Sequence, residues 1–168
     1  MSLREIIQYS LWFLLYMVLQ VLILRNIVLF NYSFCFVYVA AILLLPAEVN
    51  RTFLLFLGFA SGLLVDVFYN TLGMHAAATL LVAYLRPFWI QLQLETKGSA
   101  DRVEISLSEL GMAGYLTYLF PLVLVHHAML FFVEMSHFGM FGYTLLRIFA
   151  SALFTTFLIV VIQLFTKR

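Results

Sequence analysis

A single carboxylate inside a long apolar stretch is the feature that most constrains how this chain can fold. Asp66 lies within residues 53–70, whose other members are almost all apolar or small. A charge at mid-bilayer costs roughly 2.5–3.5 kcal/mol on insertion scales, so it normally faces other helices and a partner. Gly58, Gly62, Asp66 and Asn70 recur every four residues. On a helix this spacing forms one stripe of small and polar groups, which predicts a face packed inside a bundle.

Composition supports lipid as the solvent for this chain. Of its 168 residues, 65% are apolar and 10% are charged, whereas soluble domains average about 45–50% apolar and 25% charged. The alternating ten-residue pattern of an outer-membrane barrel is absent. A net charge of +1 excludes an electrostatic case for nucleic acid as a partner. We therefore predict an all-α polytopic membrane protein with one domain, residues 1–168, and the lipid bilayer as a partner.

Six transmembrane helices are predicted, at about residues 8–24, 27–45, 52–68, 74–90, 107–135 and 140–165. Pro46 is expected to end the second span, and Arg86 with Pro87 the fourth. A hydrophilic segment, 91–106, is predicted to be a cytoplasmic loop. Ser106 and Glu109 form a capping-box pattern that starts the fifth span. Pro121 predicts a kink in that span, whose freed backbone groups neighbouring residues must satisfy.

Basic residues predict the orientation of these spans. Six spans place both termini on one side, and that side carries seven of the nine basic residues. The opposite side has only Arg25, and Arg147 lies within the sixth span. Both termini are therefore expected in the cytoplasm. The seven residues are Arg4, Arg51, Arg86, Lys97, Arg102, Lys167 and Arg168.

Arg147 is the first candidate partner for Asp66, because the six-span topology places the two at similar depths. Arg25 is the next candidate. Further polar residues of the outer half form a possible polar interior, which also leaves open a proton or ion relay. These residues are His75, His126, Glu134, Ser151 and Thr155.

Two adjacent histidines, His126 and His127, point about 100° apart on a helix and cannot chelate one metal as an i, i+4 pair would. One is expected to face the bundle and the other an interface or lipid. Gly58 and Gly62 predict either close packing within the chain or docking of a partner helix. The pattern contains no nucleophile–base arrangement, phosphate loop or metal-ligand spacing. We therefore predict no enzymatic activity, cofactor or metal site.

The order of motifs between Pro46 and Pro87 resembles the signature region of the bacterial rod shape-determining protein family MreD. The matching letters are G-L-L-V-D, ending at Asp66, and L-G-M-H-A, which contains Gly73. The resemblance covers about a quarter of the chain. It implies a non-enzymatic inner-membrane scaffold of the cell-elongation (rod) complex that supports cell shape and peptidoglycan synthesis. The implied partners are a one-span MreC-like protein, MreB, RodA and a class B transpeptidase.

The resemblance also implies a possible similarity in fold to the substrate-binding component of energy-coupling-factor transporters. Such a vitamin-binding membrane component is the alternative function, because it too is small, six-spanning and free of catalytic groups. The polar residues predicted in the outer half could line its pocket. The short predicted outer turns favour the scaffold, since a ligand pocket needs loops to cap it.

Overall fold

Long helices and one short hairpin build the fold in a computed structural model, which describes residues 3–97, 105–135 and 140–166. α1 (Leu3–Val18) continues through a π-helical turn (Leu19–Ile23) and a 3₁₀ turn (Leu24–Asn26). A hairpin follows, in which β1 (Val28–Leu29) pairs antiparallel with β2 (Ser33–Phe34), and a 3₁₀ turn (Val37–Val39) then leads into α2 (Ala40–Leu43). The remaining elements are the long helices α3 (Arg51–Tyr69), α4 (Met74–Lys97), α5 (Leu107–Glu134) and α6 (Phe141–Thr166). Arg102, Lys167 and Arg168, and residues 98–104 of the predicted loop, lie outside the described residues.

Four helical stretches are long and apolar enough to cross a membrane: Leu3–Asn26, Arg51–Tyr69, Leu107–Glu134 and Phe141–Phe165. The predicted spans 8–24, 52–68, 107–135 and 140–165 coincide with them. Large apolar side chains such as Phe56 and Phe157 are exposed on these helices. Exposed apolar surface of this kind suits contact with lipid, so the fold is that of an all-α membrane protein.

α4 differs from the predicted fourth span in length and in the place of its arginine. The helix does not end at Pro87 but continues to Lys97, so residues 91–97 of the predicted loop are helical. Arg86 is only 1% exposed, although we expected it at the membrane surface. The reason is that its guanidinium bonds to carbonyl groups inside the bundle, as described below.

Residues 27–45, here called the broken segment, do not form the predicted second helix. They contain the hairpin, two residues without regular structure, a 3₁₀ turn and the single helical turn of α2. The prediction of a continuous helix there is wrong, yet the second half of the segment is the most buried part of the chain. Val37, Tyr38 and Ile42 are each 0% exposed. The segment therefore forms the centre of the bundle.

Side chains from neighbouring helices make this irregular backbone tolerable in an apolar interior. The amides of Phe34 and Phe36 donate to Ser151 Oγ (2.9 Å) and Thr155 Oγ1 (3.1 Å) of α6. The Gln20 side chain accepts from the Tyr38 amide (3.3 Å) and donates to the Cys35 carbonyl (2.9 Å). Non-helical backbone at membrane depth requires such partners, because an unsatisfied group costs several kcal/mol there.

α5 starts as the sequence predicts, but its backbone departs from helical geometry at Gly111 (φ 65°, ψ 168°) and not at Pro121, where a kink was expected. The Ser106 side chain accepts from the Glu109 amide (3.3 Å), which confirms the N-cap half of the capping box. Pro121 lies inside the helix and has no N–H for the carbonyl of Thr117. The indole N–H of Trp89 on α4 donates to that carbonyl at 3.3 Å. A neighbouring helix thus satisfies the group that proline frees.

Candidate functional site

Asp66 joins the end of α3 to the start of α4. Its Oδ1 accepts from the His75 amide (3.0 Å), and its Oδ2 accepts from the Ala76 amide (2.9 Å). The Thr71 hydroxyl also donates to Oδ1, and the ring Nδ1 of His75 lies 3.1 Å from the same oxygen. Free amides and a partial positive charge at a helix N-terminus make it a favourable place for a carboxylate.

The turn between the two helices has the local chemistry needed to bring Asp66 back onto α4. Asn70 ends α3 in the left-handed conformation (φ 56°), which asparagine tolerates better than most residues. Gly73 has φ +80°, a conformation that favours glycine. The Thr71 amide donates to the Asp66 carbonyl at 3.0 Å. These residues reverse the chain within one turn, so Asp66 and His75 meet although they are nine positions apart in the sequence.

The predicted Asp66–Arg147 pair is wrong. Arg147 instead contacts Glu134, with Nη2 3.0 Å from Oε2, and lies over the rings of Phe131 (4.4 Å) and Phe34 (5.0 Å). Glu134 is 41% exposed and does not belong to a polar interior. Arg25 lies over the Tyr69 ring at 5.7 Å. Asp66 needs neither arginine, because four donors from α4 and its preceding turn reach it first.

The two glycines of the stripe face α4 at backbone contact distance. A Cβ on Gly62 would lie 2.5 Å from the Cα of Ala76 and from the His75 carbonyl oxygen. A Cβ on Gly58 would lie 2.8 Å from the Ala83 Cβ. The stripe therefore packs within the chain, and α4 occupies the face that a partner helix would need. Asp66 and both glycines together fix α3 to α4.

Alanine substitutions at three glycines are expected to rank by these distances. Gly62→Ala should lower the free energy of unfolding by about 1–3 kcal/mol, because its neighbours are backbone atoms that cannot move aside. Gly58→Ala should cost less, since its closest neighbour, the Ala83 Cβ, would lie at 2.8 Å, whereas Gly62→Ala would bring three backbone atoms to 2.5–2.7 Å. A Cβ added to Gly142 on α6 would meet nothing within 4 Å, so Gly142→Ala is the matched control. Thermal unfolding in mild detergent measures the order, and equal losses at all three would contradict it.

Both adjacent histidines of α5 are buried, each 0% exposed. The prediction that one of them faces lipid or an interface is wrong. The broken segment explains this, because its ring of Phe36 lies 6.1 Å from His126 and 5.4 Å from His127. Ser151 and Thr155, also 0% exposed, line the same region. The bundle interior is therefore wide enough to take both imidazoles.

The hydrogen-bond network determines which nitrogen of His126 carries its proton. The Thr79 hydroxyl donates to the His75 carbonyl (2.8 Å), so the Tyr38 hydroxyl must donate to Thr79 (2.7 Å). Tyr38 then accepts from Nε2–H of His126 at 2.8 Å. The Nδ1 atom of His126 is left as a bare acceptor. It has no hydrogen-bond partner within the described residues.

His127 and His75 follow by the same reasoning. His127 Nδ1–H donates to the Val123 carbonyl (2.8 Å), and its Nε2 accepts from the Thr155 hydroxyl (3.1 Å). His75 Nδ1–H donates to Asp66, which leaves Nε2 bare; the described part of the chain offers it no partner. Two bare imidazole nitrogens, on His75 and His126, thus lie in the interior.

The chemical capacity of this cluster is to accept a proton or a hydrogen bond. The Asp66–His75 pair is similar to the acid–base half of a hydrolytic triad. Among the described residues, however, no hydroxyl or thiol reaches the Nε2 atom of His75, and His75 is only 2% exposed. The described ranges also contain no group of three histidine, cysteine or carboxylate side chains that could hold a metal ion.

Arg86 forms a second polar junction at the other end of the broken segment. Its Nε donates to the Leu43 carbonyl (3.2 Å) and the Tyr118 hydroxyl (3.1 Å). Its Nη2 donates to the carbonyls of Leu45 and Pro46. The Tyr118 hydroxyl in turn donates to Leu43 at 2.7 Å. No carboxylate of the described residues pairs with this cation. Carbonyl dipoles at the end of α2 stabilise it instead.

Sequence reasoning missed three residues that organise the interior: Gln20, Tyr38 and Arg86. Gln20 is 0% exposed, and a lone glutamine between apolar residues 11–24 is the signal that could have found it. The π-helical turn that carries Gln20 is a local irregularity frequently found at functional positions. Arg86 was misplaced because an arginine before a proline is typical of a helix end.

Comparison with protein-family models, curated proteins and solved structures finds no significant match for this chain.

Proposed function

We propose that this protein is a non-enzymatic scaffold subunit of the bacterial cell-elongation complex, resembling MreD. One observation supports this most: the residues that carry the resemblance meet at one structural joint. Three residues of α3 contact the first ten residues of α4: Gly58, Gly62 and Asp66. Gly73 provides the turn between the helices. The sequence pattern thus specifies a closely packed helical hairpin.

A rigid hairpin suits a protein that acts by lateral contact. Because the glycines and Asp66 face α4, the outer face of α3 presents large apolar side chains, among them Phe56 (65% exposed) and Val67 (71% exposed). A one-span MreC-like partner would pack on such an apolar helix face within the bilayer. MreB, RodA and a class B transpeptidase would join the same complex. Of the two roles predicted for the glycines, packing within the chain is the one that they have, so the apolar outer face of α3 takes the docking role in this proposal.

The proposal includes six membrane crossings in the inner membrane with both termini in the cytoplasm. The broken segment is the second crossing: β2 contacts Ser151, and its far end contacts Arg86. α4 is the fourth crossing, with its glycine-facing side covered by α3. A reporter fused after Arg168 should therefore read as cytoplasmic. Periplasmic alkaline phosphatase activity from this fusion would contradict six crossings.

Depletion of the protein tests the scaffold function. Cells should round or stop elongating, and the defect should persist in vitamin-supplemented medium. A plasmid copy carrying Gly62→Leu should fail to restore rod shape, because the clash with Ala76 separates α3 from α4. The Gly142→Leu copy is the matched control and should restore it. Co-purification of an MreC-like one-span protein with the wild type, but not with Gly62→Leu, would support the same conclusion.

The vitamin-binding component remains the second candidate because of one observation. The bare nitrogens of His75 and His126 would accept hydrogen bonds from a polar ligand. The aromatic ring of Phe36 lies 5.1 Å from the His75 ring. A ligand bound to His75 would therefore have to displace Phe36. Full rescue of the depleted cells by one vitamin would favour this candidate and overturn the scaffold.

A further inference from the structure

The hairpin of β1 and β2 exposes apolar side chains on both faces of its first strand. Val28 and Leu29 point to opposite faces, as successive residues of a strand do, and they are 36% and 39% exposed. At the tip, Phe30 is 79% exposed and stacks on Tyr32, with the ring centroids 6.2 Å apart. Contiguous exposed apolar residues such as these mark a contact surface for protein or membrane.

The backbone of β1 excludes the hydrocarbon core of the bilayer as the surroundings of this hairpin. Val28 lies opposite Phe34 in the antiparallel register, and the Phe34 amide donates to Ser151 Oγ on α6. Val28 and Phe34 therefore form a non-hydrogen-bonded pair, in which the N–H and C=O groups of both residues point away from the neighbouring strand. Those of Val28 form a free sheet edge, and lipid-exposed edges of this kind do not occur in the hydrocarbon region.

The hairpin tip holds its aromatic ring outwards in a strained backbone conformation. Phe30 has φ 53° and Asn31 has φ 66°, both in the left-handed region. Asparagine tolerates this region, whereas a bulky side chain is an outlier there. Strained residues of this kind cluster at functional positions. The strained residue here is also the most exposed aromatic ring of the hairpin, which indicates that the ring acts outside the bundle.

Neighbouring residues at the same end of the bundle have matching properties. The guanidinium of Arg25 lies 5.7 Å from the centre of the Tyr69 ring, which places the start of the hairpin beside the end of α3. Leu72, in the turn between α3 and α4, is fully exposed. Arg25 is exposed as well, and a guanidinium group recognises phosphate. This end of the bundle thus combines apolar side chains, a free backbone edge and a cation.

We propose that the hairpin tip inserts into the boundary between the headgroups and the acyl chains of the bilayer. At this level acyl chains contact Leu29 and Phe30, while water and headgroups bond the free edge of Val28. Arg25 then lies among lipid phosphates, and Tyr32 lies where tyrosine is enriched in membrane proteins. The proposal rests on the membrane location of the bundle and is independent of the scaffold function.

Lipid fits this edge better than a strand or a helix of another protein does. Strand addition gains its affinity from a series of main-chain hydrogen bonds. β1 is two residues long and Leu29 pairs with Ser33, so Val28 alone faces outwards. A second copy paired through β1 meets the same limit. A transmembrane helix satisfies its backbone groups internally and has none to offer to the edge.

Depth-dependent quenching of a tryptophan at the tip tests this proposal. Trp12→Phe and Trp89→Phe remove both native tryptophans, and Phe30→Trp places the only indole of the purified full chain at the tip. The chain is reconstituted in vesicles of phosphatidylcholine and phosphatidylglycerol that carry a nitroxide either close to the headgroup or near the end of the acyl chain. We expect the shallow nitroxide to quench about twofold more strongly than the deep one, as for an aromatic ring at the membrane interface.

Leu153→Trp in the same background is the matched control, because Leu153 lies near the middle of α6 and is 60% exposed. Its indole should show the opposite order of quenching. If the tryptophan-free background loses its monodisperse peak in size-exclusion chromatography, a spin label on Phe30→Cys measures the same depth through its collisions with oxygen and with a polar nickel chelate. The native Cys35 is buried and stays unlabelled.

Three results at the tip would overturn the proposal. Quenching by aqueous iodide without quenching by lipid would place the tip in water. Equal or stronger quenching by the deep nitroxide would place it in the hydrocarbon core. Shielding from iodide and from both nitroxides would show that a second copy of the chain covers it.

Discussion

Replacing Arg86 by leucine is expected to prevent the protein from accumulating in the membrane. The Leu45 carbonyl loses its donor, at about 1–3 kcal/mol for an unsatisfied buried acceptor. The Pro46 carbonyl keeps only the Val49 amide, at 3.4 Å, and Leu43 keeps its bond from Tyr118. Removing the guanidinium also removes the free-energy cost of burying its charge. This gain does not offset the loss, because the Leu45 carbonyl is left without a donor in an apolar interior.

A fluorescent fusion and size-exclusion chromatography in mild detergent measure this effect. Arg86→Lys should recover part of the monodisperse peak, since an ammonium group can still donate to one or two carbonyls. Arg147→Leu is the matched control. That arginine is 17% exposed and pairs with a partly exposed glutamate, so its loss should cost much less. Equal losses for the two leucine variants would show that Arg86 has no special place in the fold.

Asp66→Ala is expected to cost at least about 3 kcal/mol of stability. It removes the acceptor for the amides of His75 and Ala76, the Thr71 hydroxyl and the His75 ring. Bonds to a charged acceptor are roughly twice as strong as neutral ones, although four of them at one group do not simply add. Asp66→Asn should lose less, because the amide oxygen can still accept from α4. Thermal unfolding in detergent compares the two.

Double-mutant cycles then identify the partner of Asp66. Asp66→Asn combined with Thr71→Val should be strongly non-additive, because both side chains contribute to one network. Asp66→Asn combined with Arg147→Ala should be additive within about 0.5 kcal/mol, as for distant, independent sites. A large coupling energy with Arg147 would restore the ion pair that the sequence first suggested.

The parts of the fold that follow from local pattern were predictable. Apolar runs located α1, α3, α5 and α6, because lipid-facing helices need nothing more specific than length and hydropathy. The four-residue spacing of Gly58, Gly62 and Asp66 correctly indicated one packed face. Ser106 marked the start of α5, and Pro121 required a neighbour for the carbonyl that it frees, which Trp89 supplies.

The parts that depend on distant residues were not predictable. Nothing in the apolar residues 27–45 indicates that Ser151, Thr155 and Gln20 would bind its backbone, so a helix was the expected outcome. Asp66 misled for the opposite reason. Charge alone suggests a distant arginine, whereas the turn through Asn70 and Gly73 brings backbone amides close by. The backbone amides at the start of a helix are neutral, so a count of charged residues does not reveal them as partners of a carboxylate.

The broken segment also sets the order in which the chain can complete its structure. The amides of Phe34 and Phe36 have no acceptor until α6 is in place, because Ser151 and Thr155 lie 117 and 119 residues later in the chain. During synthesis the segment must therefore stay in water or in a protected site until the last helix enters the bilayer. Cellular quality control can therefore distinguish an incomplete chain from a complete one. A chain truncated before α6 would expose an unfinished centre, and membrane proteases would remove it before it reached any partner.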